Sequence, residues 1–197
     1  MDSNVYLLSL FLGGTYLLAS IPVALLVASK KNVDLRKIGS GNLGATNVYR
    51  ALGIKYALLV FFLDALKGAI PTYVAIQLFN DPLIHISIGL VAILGHSLSC
   101  FVKFKGGKGV ATGVGVLCAL SVKLGLGIFI SAILIIKITR YVSLASIVCS
   151  IAAPLLFYVC GYPKEYVIML TVISGLIVLR HRSNIHRLIK GTENKVF

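Results

Sequence analysis

The sequence predicts an all-α membrane protein, a polytopic bundle of about seven transmembrane helices. Of its 197 residues 58% are hydrophobic, and the mean hydropathy is +0.96. Soluble globular domains are roughly 45–50% apolar. Several apolar runs approach the ~20 residues that a helix needs to cross a bilayer. These runs are continuously apolar rather than alternating, which disfavours a transmembrane β-barrel.

Seven apolar runs are predicted to be spans, and they are Val5–Ala28, Tyr56–Phe79, Leu83–Val102, Val110–Val122, Leu124–Ile138, Val142–Cys160 and Tyr166–Leu179. The first run follows Asp2 rather than a basic segment, and it has no convincing small-residue cleavage site. It is therefore predicted to be a retained span and not a signal peptide. No linker, repeat or low-complexity tract divides the chain, so residues 1–197 are predicted to form a single domain.

The apolar run from Val110 to Ile138 is interrupted by Lys123 and allows two interpretations. One long span would place Arg140 on the side opposite the loop 103–108. Two short passes turning at Lys123 place both basic segments on one side, which the preference of basic residues for the cytoplasm favours. Each pass is shorter than an ordinary span, so the hairpin either stops short of the far surface or thins the bilayer around it.

The charge distribution predicts the orientation of the chain in the membrane. The net charge is +13, and all nineteen Lys and Arg residues except Lys67, Lys123 and Lys164 fall on one side of the predicted topology. The N-terminus is therefore expected outside and the C-terminus in the cytoplasm. Because the basic residues flank apolar spans, anionic head groups or substrates explain them better than nucleic acid does.

Two glycine-rich stretches, Gly39–Asn47 and Lys105–Gly109, interrupt the apolar sequence. Small residues let backbone N–H groups approach an anion, and Arg50, Lys105 and Lys108 add positive charge, so both stretches are predicted to bind phosphate. The alternatives are a flexible linker that caps the next helix and a tight turn with cytoplasmic lysines. Gly39–Gly44 matches the spacing Gly-x-Gly-x-x-Gly but follows a basic loop rather than a strand, so it is not a nucleotide-binding signature. Lys105–Gly109 lacks the spacing and the Ser/Thr of a Walker loop, so ATP hydrolysis is not expected.

Other polar residues have simpler interpretations. Asp64 and Lys67 lie on one face of a predicted span, where an internal ion pair is favoured over a substrate role. His85 is predicted to be structural, whereas His96 remains ambiguous. Arg140–Ser146 alone would be an interfacial anchor with a helix cap. The four cysteines lack metal or redox spacing, and neither a metal site nor a cofactor is predicted.

Five motifs occur together and in order, namely Gly-Ser-Gly-Asn-x-Gly-Ala-Thr-Asn at 39–47, Asp-x-x-Lys-Gly at 64–68, Gly-Gly-Lys-Gly-Val-Ala-Thr at 106–112, Arg-Tyr-x-Ser-Leu-x-Ser at 140–146 and Arg-His-Arg-x-Asn-Ile-x-Arg-Leu at 180–188. With them the chain resembles the bacterial acyl-phosphate:glycerol-3-phosphate acyltransferase family of the PlsY type, over nearly its whole length.

This resemblance implies an enzyme of the bacterial cytoplasmic (inner) membrane, with its active site on the cytoplasmic side. It would transfer a fatty acyl group from acyl phosphate to the 1-hydroxyl of sn-glycerol 3-phosphate, and the products would be lysophosphatidic acid and phosphate. This is the first acylation step of phospholipid biosynthesis. A soluble phosphate acyltransferase that makes acyl phosphate is the implied partner. The alternatives from other classes are a transporter of phosphate or glycerol phosphate and a non-catalytic binder of anionic lipid.

The residues expected to take part in catalysis are Lys108, Ser143, His181 and Asn184. The residues expected to bind substrate are Ser40, Gly41, Asn42, Gly44, Thr46, Asn47, Arg50, Lys105, Gly106, Gly107, Gly109, Thr112, Arg140 and Arg187. No nucleophile with an adjacent base is apparent in the sequence, and acyl phosphate is already activated. Direct transfer is therefore favoured, with either the donor phosphate or His181 as the base.

Overall fold

The computed structural model describes residues 3–197, and it describes side chains from residue 5 onward. Within this range the chain is entirely helical and forms no strand, as predicted. Its helices are α1 (Ser3–Ser20), α2 (Val23–Ser29), α3 (Ala45–Leu52), α4 (Ile54–Leu78), α5 (Pro82–Ser97), α6 (Val110–Leu120), α7 (Val122–Thr139), α8 (Val142–Val159), α9 (Lys164–Arg180) and α10 (Arg182–Ile189). Single 3₁₀ turns lie at Leu35–Lys37 and Cys100–Val102.

Five helical segments are long and apolar enough to cross a membrane, and they are Val5–Ser29, Ile54–Leu78, Pro82–Val102, Val122–Thr139 and Val142–Val159. A sixth arises if α9 and α10, which meet at 60°, count as one broken span. Helix α6 has 11 residues and is shorter than a span. The helical membrane bundle is thus confirmed. Five or six helical segments reach spanning length, and the seven passes stay a prediction.

The long apolar run does break into a hairpin, but the break falls at Ser121 and not at Lys123. The Ser121 hydroxyl accepts hydrogen bonds from the Leu124 amide at 3.3 Å and from the Tyr162 hydroxyl at 2.6 Å. Gly125 then packs on the Cys118 backbone, where an added Cβ would lie 2.6 Å from the nitrogen. Helices α6 and α7 therefore fold against each other.

Small residues bring α4 and α6 into close contact in the centre of the bundle. A Cβ on Gly68 would collide with the Thr112 carbonyl, and one on Gly115 would collide with the Ala65 carbonyl. Such small-residue contacts allow helix backbones to approach closely in membranes. As a result, the loop before α6 lies beside the polar residues of α4.

The predicted ion pair between Asp64 and Lys67 is present and buried, with Nζ 2.7 Å from Oδ1. Lys67 also donates to the carbonyl of Ile21, beside the break that Pro22 makes between α1 and α2. The ion pair thus joins α4 to that break, where helical hydrogen bonds are interrupted. His85 is structural as predicted, because its ring contacts the Tyr166 hydroxyl at 2.9 Å and the Phe79 carbonyl at 2.6 Å.

Candidate active site

A small polar cavity of about 130 Å³ lies at the end of the bundle where most of the basic loops meet. Ten of the residues expected at the site line it, and they are Ser40, Asn42, Gly44, Thr46, Arg50, Lys108, Gly109, Ser143, His181 and Asn184. Lys108 and Gly109 precede the α6–α7 hairpin and Ser143 follows it, so both ends of the hairpin lie at the same cavity. The two-pass interpretation requires this arrangement. The remaining expected residues lie around this cavity rather than in its wall.

The first glycine-rich loop is held in shape by Asn47, which is buried behind it. The Asn47 side chain accepts from the Ser40 amide at 3.1 Å and donates to the Leu35 carbonyl at 2.9 Å. Gly39 and Gly41 have φ values of +56° and +67°, a region that favours glycine. Asn47 and Gly41 therefore shape the loop, while the neighbouring residues reach the cavity.

The second glycine-rich loop owes its glycines to packing. The amides of Gly106 and Gly107 donate to the carbonyls of Ser97 and His96 at 3.1 and 3.2 Å, so these N–H groups have protein acceptors. A Cβ on Gly107 would collide with the His96 imidazole. These two glycines were expected to contact phosphate directly. Instead they let the loop fold over His96 and leave Lys108 directed at the cavity.

Arg180 fastens the same loop to the end of α9. Its guanidinium donates to the carbonyls of Ser97, Gly106 and Gly107 at 3.2, 3.0 and 2.8 Å. Three carbonyl acceptors on one guanidinium hold the loop in a single arrangement. Because Lys108 follows Gly107 directly, this clamp also determines where its side chain begins.

A hydrogen-bond network centred on Glu193 joins four of the expected residues. Glu193 accepts from the Ser143 hydroxyl at 2.8 Å, the Asn184 amide at 2.6 Å and Nε of Arg187 at 2.6 Å. The Asn184 oxygen in turn accepts from Lys108. Burial alone would raise the pKa of Glu193, but the three donors outweigh it and the pKa is lowered. The carboxylate is therefore ionised and holds its partners in place.

Lys108 is the cation at the centre of the cavity, and its protonation is finely balanced. Burial lowers its pKa to about 8, aided by repulsion from nearby arginines and opposed by attraction to Glu193. An amine with this pKa is charged at neutral pH and loses its charge at mildly alkaline pH. A bound phosphate would favour the charged form.

His181 is buried and presents one ring nitrogen as a possible proton acceptor. Its Nδ1 lies 2.8 Å from the Ile177 carbonyl. A carbonyl can only accept, so Nδ1 carries the proton and Nε2 of the neutral ring is the acceptor. Asp64 and His96 also meet at the cavity wall, with Nδ1 of His96 3.6 Å from Oδ1 of Asp64.

Four expected residues have other surroundings. Lys105 is exposed, and Thr112 is fully buried in α6 with a hydroxyl that has no hydrogen-bond partner among the described residues. Arg140 ends α7, where its carbonyl accepts from the Val196 amide at 2.9 Å. Arg187 is paired with Glu193 as described above. None of the four lines the polar cavity as the structure describes it.

Sequence reasoning missed several residues of the cavity wall, and they are Phe61, Asp64, His96, Ser146, Glu193 and Asn194. Glu193 offered one signal, because it is the single acidic residue after the last predicted span, in an otherwise basic tail. Asn194 offered none, since it contributes a backbone carbonyl that accepts from Arg50 at 3.4 Å.

An apolar cavity continues from the polar one into the bundle. It is formed by α4 to α9, and the two cavities share four wall residues, Phe61, Val110, Val142 and Ser146. The joined space is lined by polar and charged residues at the loop end, including Arg50 and Lys108, and it is apolar along the helices. Its shape and chemistry suit an amphiphile with an anionic head and a single hydrocarbon chain.

These features define a class, namely integral membrane proteins that bring an anionic group and an acyl chain together, and comparison with known proteins makes it specific. A profile of the glycerol-3-phosphate acyltransferase family matches residues 9–191. The glycerol-3-phosphate acyltransferase of Aquifex aeolicus is 50% identical over an alignment that covers 91% of this chain and 94% of the relative. The glycerol-3-phosphate acyltransferase of Shewanella sediminis is 44% identical, and the alignment covers 92% of this chain and 90% of the relative. The chain belongs to the glycerol-3-phosphate acyltransferase family.

Solved structures agree with this assignment. The crystal structure of PlsY, an integral membrane glycerol 3-phosphate acyltransferase, in its glycerol 3-phosphate form is 48% identical and superposes with a TM-score of 0.93. The lysophosphatidic acid form of PlsY is 47% identical with a TM-score of 0.91. Each alignment covers 95% of this chain and 94% of the solved one.

Proposed function

We propose that this protein transfers a fatty acyl group from acyl phosphate to the 1-hydroxyl of sn-glycerol 3-phosphate, giving lysophosphatidic acid and inorganic phosphate. The observation that carries this proposal is the continuity of the polar cavity, which Arg50 and Lys108 line, with the apolar one through Phe61, Val110, Val142 and Ser146. A phosphorylated alcohol and an acyl chain would meet at that junction. The two solved relatives, described in glycerol 3-phosphate and lysophosphatidic acid forms, support the same chemistry.

The transfer is direct, without an acyl-enzyme. Among the described cavity residues Ser143 is a conceivable nucleophile, but its hydroxyl donates to Glu193, whose pKa is lowered by three donors. A carboxylate so well satisfied is a weak base. None of the cysteines lines the polar cavity where the structure describes it. An acyl phosphate is already activated, so positioning of the two substrates supplies much of the rate.

In the reaction the 1-hydroxyl oxygen forms a bond to the acyl carbon, and the bond from that carbon to the phosphate oxygen breaks. The leaving phosphate takes the electron pair. The hydroxyl proton passes either to an oxygen of the donor phosphate or to Nε2 of His181. Lys108 stabilises the negative charge that develops on the oxygens in this water-poor site.

The two phosphates are held by different parts of the wall. The first glycine-rich loop, through Ser40, Asn42, Gly44 and Thr46, binds the head group of the donor. Arg50, Lys108, Ser143, His181 and Asn184 bind glycerol phosphate and the transition state. Asn47, Gly106, Gly107 and Arg187 act indirectly, by shaping the loops and by pairing with Glu193.

The protein works in the bacterial cytoplasmic membrane, with seven passes and the cavity on the cytoplasmic side. The support is the basic residues of the loops at the cavity and the α6–α7 hairpin, which returns the chain to the same end of the bundle. On that side a soluble phosphate acyltransferase supplies the donor. The product enters phospholipid biosynthesis at its first acylation.

The test uses purified protein with an acyl phosphate and glycerol 3-phosphate. We expect one lysophosphatidic acid for each phosphate released, and no product when acyl-CoA replaces the donor. Uptake of glycerol phosphate into proteoliposomes without acylation would identify a transporter instead. Incubation with acyl phosphate alone, followed by acid quench and intact-mass measurement, tests the direct mechanism. An added acyl group that forms as fast as turnover would contradict it.

A further inference from the structure

A second opening lies between α5 and α9, and it is larger than the polar cavity. This crevice has a volume of about 510 Å³. Leu94 of α5 and Leu98, which directly follows that helix, line it together with Leu176 and Leu179 of α9, and Arg182 lies at its polar end. Leu98 and Leu179 are 42% and 66% exposed, so on a membrane protein the mouth of the crevice faces lipid.

The crevice communicates with both parts of the candidate site. It shares Asn42 and Lys108 with the polar cavity, and it shares Ile93 and Ile177 with the apolar cavity. The tips of these two isoleucines lie near Gly113, within 4 Å of where its Cβ would stand. Lys108 therefore lines both the polar cavity and the crevice. Ile93 and Ile177 lie between the apolar cavity and the crevice.

The wall of the crevice combines an apolar surface with positive charge. Lys108 and Arg182 offer cations, the leucines offer a hydrocarbon surface, and no acidic residue lines it within the described part of the chain. Glycerol phosphate has no apolar part that could use the leucines, and inorganic phosphate has none either. A single-chain lipid with a phosphate monoester would satisfy both surfaces.

We propose that the crevice is a binding site through which the single-chain lysophospholipid product leaves the active site for the bilayer, an inference that rests on the proposed function. The product is favoured over the donor because the crevice includes Lys108, assigned to glycerol phosphate, and only Asn42 of the four residues assigned to the donor; Ser40, Gly44 and Thr46 do not line it. With its phosphate still on Lys108, the product swings its chain past Ile93 and Ile177 and emerges between α5 and α9.

The first test obstructs the mouth of the crevice. Leu179→Trp fills it, and Ile168→Trp is the matched control because Ile168 is 60% exposed on the same helix and lies outside the crevice. Both variants are reconstituted in phosphatidylcholine nanodiscs. For Leu179→Trp we expect a first turnover close to that of the wild type and a steady-state rate lowered about fivefold or more, since product release limits many enzymes. Ile168→Trp should match the wild type in both phases.

An unchanged steady state in Leu179→Trp, or equal slowing of both phases, would overturn the inference. Failure of the wild type to acylate glycerol phosphate at all would instead overturn the proposed function. A second measurement does not depend on the folding of the tryptophan variant. A photoreactive benzoylphenylalanine in place of Leu98 should label radioactive lysophosphatidic acid, and excess unlabelled lysophosphatidic acid should prevent this. Labelling of phosphatidylcholine or acyl phosphate alone would contradict the proposal.

Discussion

Oε1 of Glu193 lies 2.6 Å from Nδ2 of Asn184, and this contact decides which end of the Asn184 amide faces the cavity cation. A carboxylate accepts hydrogen bonds and cannot donate them. The NH₂ group of Asn184 must therefore point at Glu193, which leaves the carbonyl oxygen for Lys108. An acidic residue of the tail thus determines the polarity of a side chain inside the candidate active site.

Replacing Glu193 by Gln should impair the site severely. Three donors converge on the carboxylate, from Ser143, Asn184 and Arg187, and an amide offers one acceptor atom in place of two. A hydrogen bond to a charged group is worth about 1.5–3 kcal/mol, so kcat/KM should fall roughly tenfold to a hundredfold. Glu165→Gln, at the opposite end of α9, is the control and should leave kinetics unchanged. Wild-type kinetics for Glu193→Gln would refute the role of the network.

Lys108→Ala and Arg50→Ala should nearly abolish acyl transfer while leaving the protein inserted and thermally stable. Both side chains line the polar cavity, and loss of a charged hydrogen bond in a dry site costs about 1.5–3 kcal/mol or more. Lys103→Ala serves as the control, because Lys103 is exposed in the same loop and lies outside the cavity. Steady-state kinetics and thermal unfolding in detergent measure the two effects. Normal turnover in Lys108→Ala or in Arg50→Ala would show that acyl transfer does not need the side chain that was replaced.

The activity should fall at alkaline pH because the pKa of Lys108 is lowered to about 8. Below that pH the amine is charged and attracts phosphate, which is a dianion above about pH 6. Above it the amine is neutral, so kcat/KM should drop about tenfold per pH unit. An arginine stays charged throughout this range, so in Lys108→Arg the alkaline fall should disappear whatever the absolute rate. A wild-type profile flat to about pH 10 would contradict this interpretation.

Gly107→Ala should displace the second glycine-rich loop and weaken the use of glycerol phosphate. The added Cβ would collide with the His96 imidazole, and the loop carries Lys108 as its next residue. Gly127→Ala is the matched control, since a Cβ there meets nothing within 4 Å. We expect KM for glycerol phosphate to rise about tenfold or more in the first variant, because a charged hydrogen bond is weakened. Equal kinetics in the two variants would mean that the loop accommodates the methyl group.

Cysteine labelling can test the proposed orientation. In a background without the four native cysteines, Phe104→Cys and Ser183→Cys should react only with reagents applied from the cytoplasm. Lys123→Cys and Lys164→Cys should be accessible only from the other side. All four positions are exposed in the structure. Labelling of Phe104→Cys and Ser183→Cys from opposite sides would exclude seven passes with this orientation.

Much of the fold follows from features that act locally along the chain. Continuous apolar runs predicted the long helices, and the spacing of Asp64 and Lys67 predicted their ion pair. The hairpin break lies two residues before the predicted one, at Ser121, whose hydroxyl caps α7 through the Leu124 amide and also accepts from Tyr162, some forty residues later. The 11-residue length of α6 likewise depends on its packing against α4 rather than on its own composition.

The site was predictable where charge and small residues coincide in the sequence, as around Lys108 and in the loop 39–47. It was not predictable where a residue acts through partners distant in the chain. Glu193 binds Ser143, fifty positions earlier, and Gly107 is small because His96 lies against it. Two glycines of the second loop, Gly106 and Gly107, pack against Ser97 and His96, which the sequence did not indicate, and their role in binding substrate stays a prediction.

The return of the tail to the cavity bears on how the enzyme is made. Glu193 meets Ser143 and Asn184, Asn194 meets Arg50, and the Val196 amide meets Arg140. During translation these residues leave the ribosome after helices α1 to α10 have been synthesised. In a nascent chain, Lys108 and Arg187 are therefore synthesised before the Glu193 carboxylate that positions them. The arrangement of Ser143 and Asn184 seen here is therefore complete only once the tail has folded back onto the cavity.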